Sequence, residues 1–148
     1  MAIIYLDTSA LVKQYVQENG SRDVQKLIRT ADYAGTSLIT QAEMAAALAR
    51  ATRMGLIPSG EAEAAWEEFQ TDWDSLSRLK VSRQIIDLSS TLAWKYPLRG
   101  YDAVHLASAV LWQETLETRI ALATFDRELW SAGFQVGLTV WPENLSHK

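Results

Sequence analysis

The chain has 148 residues, 48% apolar and 22% charged, with 14 basic and 18 acidic side chains for a net charge of −4. This is the balance and length of one soluble globular domain, expected to run 1–148, and it excludes a disordered chain and a binder held to nucleic acid by surface charge alone, which would be basic. The absence of cysteine excludes disulfides, zinc–thiolate sites, iron–sulfur clusters and a cysteine nucleophile together, and fits a reducing cytoplasm.

The opening run Ile3–Leu6 reads as a short buried strand, and without a basic leader it is no signal peptide. No stretch approaches the roughly 18 uninterrupted apolar residues of a membrane span, so a soluble cytoplasmic protein is expected. Ser9–Gln17 reads as a helix closed by Asn19-Gly20, and Ser21–Ala31 as a second helix with Val24, Leu27, Ile28 and Ala31 on one face. Tyr33–Leu38 is the second strand. Thr40–Met54 is a helix that opens on a capping box, Thr40-x-x-Glu43, and stops at Gly55. Ser59–Ser77 follows as a helix with an apolar stripe of Ala62, Trp66, Phe69, Trp73 and Leu76. A strand at Leu79–Val81, a helix from Gln84 to Tyr96 and an apolar helix over Asp102–Thr115 come next. Ile120–Thr124 is a strand, a short helix starts after Asp126, and Leu138–Val140 is a last strand.

Strands alternating with helices imply parallel pairing through right-handed crossovers, hence a three-layer α/β/α sandwich on a mostly parallel sheet. In such sheets ligands bind beyond the carboxyl ends of the strands, where strand order reverses. Asp7, Glu43, Asp102 and Asp126 stand there: two follow strands and two lie in first turns of helices. Each also has a plain structural explanation. Asp7 and Asp126 are good helix caps, Glu43 completes its capping box, and Asp102 suits the positive end of a helix dipole. Together in one cleft they would repel strongly unless protonated or bridged by cations. An all-carboxylate set with no histidine or cysteine companion favours Mg²⁺ or Mn²⁺ over zinc.

Ile3-Ile4-Tyr5-Leu6-Asp7-Thr8-Ser9-Ala10-Leu11-Val12-Lys13 resembles the opening of PIN domains, especially of VapC-type toxins. The resemblance continues through Leu38–Glu43, Arg99–Ala109 and Leu122–Leu129, in the family's order. It implies a metal-dependent endoribonuclease, the toxin of a VapBC-type toxin–antitoxin pair, with Asp7, Glu43, Asp102 and Asp126 as metal-binding acids. It also implies an RNA substrate, a VapB-like antitoxin seated in an apolar groove, and a homodimer. Part of the Ile57–Leu76 helix, with the helix from Thr40, is the expected groove lining. Asp7, on the central strand, is the candidate bridge between ions. Ser9 and Thr124 are hydroxyls beside the acids, and Arg99, ahead of the Asp102 helix, is placed to meet the substrate backbone. Lys13, Arg50 and Arg53 are lesser candidates of the same kind. His105 reads as a hydrogen-bonded core residue and His147 as an idle tail residue.

The rival classes are separable by residue. A haloacid-dehalogenase-like phosphatase wants an aspartate where Ser9 stands. A receiver domain wants paired acids at the first strand and a late lysine. A flap-type nuclease needs insertions for which 148 residues leave no room. The alternative that survives is a PIN fold with an inactive site, serving as an RNA-binding or scaffold module.

Overall fold

The computed structural model describes residues 1–145, so His147 lies outside the described residues. Five strands form one sheet: β1 (Ile3–Leu6), β2 (Tyr33–Ser37), β3 (Ser77–Leu79), β4 (Ala121–Ala123) and β5 (Thr139–Trp141). Their order is β3-β2-β1-β4-β5, and all four pairings are parallel.

The helices are α1 (Thr8–Leu11), α2 (Ser21–Thr30), α3 (Ile39–Arg53), α4 (Ser59–Trp73), α5 (Arg83–Lys95), α6 (Gly100–Leu116) and α7 (Arg127–Gln135), with a 3₁₀ turn at Val12–Gln14. The period-two alternation of β1 sorts them into layers. Ile3 and Tyr5 face a core built with α5, α6 and α7, while Ile4 and Leu6 face one built with α1 to α4. This is the expected three-layer sandwich. Crossovers stepping one way through β1, β2 and β3 lie on one face, and those reaching β4 and β5 lie on the other. The order therefore reverses between β1 and β4, where the two carboxyl ends meet. Among the described residues no helix is long and apolar enough to cross a membrane.

Several boundaries differ from the sequence reading. The first helix starts at Thr8, because Asp7 caps it, and gives way to the 3₁₀ turn after Leu11. The aromatic helix ends at Trp73, not Ser77, because Ser77–Leu79 pairs with Gly35–Ser37. That pairing also draws β3 two residues towards the N-terminus of Leu79–Val81. The last strand is displaced by one residue, to pair Trp141 with Ala123.

The expected capping box is not formed. Helix α3 begins one residue early, at Ile39, which puts Thr40 inside the helix and wholly buried. Its hydroxyl pairs with Thr36 Oγ1 at 2.7 Å, and Thr36 donates to the Leu6 carbonyl at 2.7 Å. Ser37 Oγ accepts from Ile39 N at 3.2 Å in place of the expected cap. Glu43 is thereby free to turn towards α1 and α6.

Close packing against β2 depends on a glycine. A Cβ at Gly35 would stand 2.6 Å from Trp112 Cη2, so the indole on α6 lies on the sheet only because no side chain is there.

Candidate active site

Asp7 leaves the sheet at the end of β1 and is almost fully buried. Its Oδ1 accepts from Ala10 N at 3.0 Å as a helix cap, and Ser9 Oγ donates to both oxygens at 2.8 and 3.0 Å. Thr124 Oγ1, at the end of β4, donates to Oδ2 at 2.6 Å. Burial raises the pKa of Asp7, against the opposing pull of His105 and of these donors. The capping reading is thus true of one oxygen and leaves the carboxylate still short of positive charge.

Ser9 and Thr124 fasten Asp7 to the turn after β4. Ser9 Oγ accepts from Phe125 N at 3.0 Å, and Thr124 Oγ1 from Asp126 N at 3.1 Å. Asp126 caps α7 through Oδ1, which accepts from Leu129 N at 3.0 Å. Its Oδ2 accepts from Arg99 Nη2 at 3.2 Å.

Asp102, in the first turn of α6, is buried and accepts from Arg99 Nε at 3.1 Å. Burial raises its pKa, the Asp126 charge adds to the rise, and Arg99 opposes it. The same contacts hold the Arg99 guanidinium above its ordinary value, the hydrogen bond to Asp102 first.

Glu43 accepts from Thr8 Oγ1 at 2.8 Å and meets His105 Nε2 at 2.6 Å. Burial pushes its pKa up, but the His105 hydrogen bond and charge, with Thr8, outweigh it and leave the value lowered. His105 is buried, as expected of a core residue, but it is also bonded to a site acid. Its Nδ1 lies 2.8 Å from the buried Tyr5 hydroxyl. Burial drives the Tyr5 pKa well up, so the phenol keeps its proton beside the imidazole. The Ser108 hydroxyl lies against the same phenol but donates to the Val104 carbonyl at 2.7 Å.

The four acids, from four separate stretches of chain, line one cleft of about 110 Å³ together with Thr8, Ser9, Arg99, Tyr101 and His105. Thr124 stands directly behind Asp7. Lys13 is turned away to Glu18 and the Asn19 carbonyl, and Arg50 to the Met54 sulfur. Neither they nor Arg53 line the cleft. Sequence reasoning missed Thr8 and Tyr101 as lining residues. It also missed the tie between His105 and the site, although His105 shares a helix face with Asp102 at i, i+3.

The donor set fits a hard divalent cation: oxygen ligands, partly desolvated, with two of the four raised in pKa by burial. Among the described residues no group of three or more His, Asp or Glu side chains is placed to hold a metal ion. The Arg99 guanidinium instead stands between Asp102 and Asp126.

A larger apolar cleft of about 410 Å³ opens between α3 and α4, lined by Ala45, Leu48, Ala49, Thr52, Ala62 and Trp66 among others. Of the aromatic stripe only Trp66 reaches it. Phe69 and Trp73 are buried in the core.

A family model described as PIN domain matches residues 4–134. Ribonuclease VapC45 of Mycobacterium tuberculosis (strain CDC 1551 / Oshkosh) is 33% identical over 148 aligned residues, covering 98% of this chain and 99% of its own. Among solved structures, FitAB bound to an IR36 DNA fragment matches with a TM-score of 0.69 at 18% identity, over 97% of this chain and 98% of that one. VapBC-5 of Mycobacterium tuberculosis, a member of the VapBC family of toxin–antitoxin systems, matches with a TM-score of 0.59 at 17% identity, over 95% and 96%. At these identities the two structures speak to the fold.

Proposed function

The chain belongs to the PIN domain family, and from that premise we propose that it is an endoribonuclease, the toxin of a VapBC-type toxin–antitoxin pair, acting in the cytoplasm with Mg²⁺ or Mn²⁺. The observation that carries the reading is the meeting of Asp7, Glu43, Asp102 and Asp126 in one cleft at the sheet's switch point. The full-length likeness to a protein named as a ribonuclease supports RNA as the substrate.

Asp7, Glu43, Asp102 and Asp126 would hold the ion. When bound, it supplies the positive charge that activates a water nucleophile and steadies the leaving oxygen. The rest falls to the chain's own groups. Ser9, Thr124 and Ala10 N–H fix the Asp7 carboxylate, and Thr8 and His105 fix that of Glu43. Arg99, two-thirds exposed at the rim, offers a planar fork suited to a phosphate. Attack of water on phosphorus with loss of the 3′-oxygen leaves a 5′-phosphate and a 3′-hydroxyl.

The apolar cleft between α3 and α4 is the place we assign to a segment of a VapB-like antitoxin, and the functional unit is a homodimer. Trp66 is its aromatic wall.

The test is incubation of purified, antitoxin-free protein with total cellular RNA and Mg²⁺ or Mn²⁺, against chelator and Asp7→Asn. Discrete metal-dependent cuts ending in 5′-phosphates and lost in Asp7→Asn are expected. Metal-independent binding without cleavage would overturn the reading in favour of a scaffold module.

A further inference from the structure

Arg99 occupies an unusual place in this acidic cluster. Asp7 and Glu43 take hydrogen bonds from hydroxyls, a backbone N–H and an imidazole. Asp102 and Asp126 are bridged by a single guanidinium, through Nε at 3.1 Å and Nη2 at 3.2 Å. Those two contacts fall on Asp102 Oδ2 and Asp126 Oδ2, and so place the guanidinium charge on two of the acids that would hold a cation.

The bridge is built to be broken. Arg99 is the N-cap residue of α6 with extended backbone, so its side chain springs from outside the helix. The arginine side chain is 66% exposed, so water competes for its N–H groups, while Asp102 at 8% and Asp126 at 23% are largely shielded. One face of the guanidinium lies over the half-exposed Tyr101 ring, 4.9 Å from its centroid. That stack gives the group a seat from which its N–H edge can turn outward without leaving the rim. A divalent cation brings two charges to oxygens that share one, and burial makes those oxygens poorly compensated. The displaced fork then faces the mouth of the cleft, where a backbone phosphate enters.

We infer that Arg99 has two positions: it bridges Asp102 and Asp126 until a divalent cation takes those carboxylates, and it then turns to bind the phosphate of the RNA. The inference rests on the metal-dependent nuclease reading above. It makes metal uptake and RNA capture positively coupled, because the cation releases the residue that grips the substrate. It also gives Arg99 opposite effects on the two ligands. The arginine weakens cation binding and strengthens RNA binding.

The experiment is a Mn²⁺ titration followed by electron paramagnetic resonance, without RNA, on the native chain and on Arg99→Ala, Arg99→Lys and Asp102→Asn. Arg99 is exposed, so its variants fold. Losing the two ion pairs and one repelling charge should tighten Mn²⁺ binding roughly three- to tenfold in Arg99→Ala. Arg99→Lys should fall between, and Asp102→Asn should weaken binding. In parallel, the Arg99 Nε–H resonance should shift as Mg²⁺ saturates the native protein, while Arg99→Ala cleaves RNA at least about tenfold less efficiently at saturating metal. Unchanged or weaker Mn²⁺ binding in Arg99→Ala, or an Nε–H signal indifferent to Mg²⁺, overturns the inference. If the native chain binds Mn²⁺ through Asp102 and Arg99→Ala is no tighter, only the two-position role falls. If the native chain binds no Mn²⁺, the metal-dependent reading falls with it.

Discussion

The buried line from Tyr5 through His105 to Glu43 gives a measurable coupling. Tyr5→Phe deletes a hydroxyl and leaves His105 Nδ1, in a residue 1% exposed, without its hydrogen-bond partner. An orphaned buried polar group costs about 1–3 kcal/mol. His105→Leu keeps the volume near constant but strips one partner from the buried Tyr5 hydroxyl, which keeps Ser108 and the Ser37 backbone beside it, for a loss at the lower end of that range. It also removes the edge-on contact between the two rings, whose centroids are 5.9 Å apart at 71°. That contact adds about 0.5–1.5 kcal/mol. In the double variant both polar partners are gone, so neither orphan penalty remains. It should therefore lose no more stability than His105→Leu alone, a coupling of about 1–3 kcal/mol. Urea denaturation in chelator, read by tryptophan fluorescence, measures all four corners. Additive losses would refute the buried bond. A cleavage assay on the same proteins separates packing from positioning. Tyr5→Phe keeps the His105–Glu43 contact and should retain most activity, whereas His105→Leu frees Glu43 and should lose about tenfold or more.

Asp7 links the site to stability through pH. Its folded pKa is raised, so folding favours its protonated form, and stability falls as pH climbs past the ordinary aspartate value through the folded one. Asp102 acts in the same direction, while Glu43, lowered, loses its contribution only as pH falls through its folded value. Asp7→Asn should therefore melt higher than the native chain at neutral pH in chelator, with the advantage fading towards acid. Adding Mn²⁺ should stabilise the native chain and not the variant; a variant that melts lower in chelator contradicts the argument. Gly35→Ala forces a methyl group into Trp112 and should cost about 1–3 kcal/mol, read as a lower urea midpoint with unchanged metal binding. A neutral outcome would mean that the indole moves aside at no cost.

Much of this molecule is legible locally. Four consecutive apolar residues, Ile3 to Leu6, followed by a capping aspartate specify a buried strand and the helix after it, and both are present. The apolar periodicity of α2 likewise acts over a few residues and needs no partner from afar. The positions of the four acids were visible for the same reason, since strand ends and helix starts mark themselves in the sequence. Pairing decided what local signals left open. The edge strand β3 took Ser77–Leu79 because β2 offered backbone partners there, overriding the helical pattern that runs on to Ser77. Thr40 and Glu43 read as a capping box at i, i+3, yet the buried Thr36 hydroxyl captured one and His105 the other. No spacing along the chain encodes Arg99 spanning Asp102 and Asp126, the second of which lies 27 residues beyond the arginine. By itself the sequence determined where strands, caps and carboxylates lie, because those depend on neighbours within a turn or two. Only the tertiary structure decided which of these groups share a cleft and which proton or charge each one faces, because a parallel sheet brings together strand ends that are far apart in the chain.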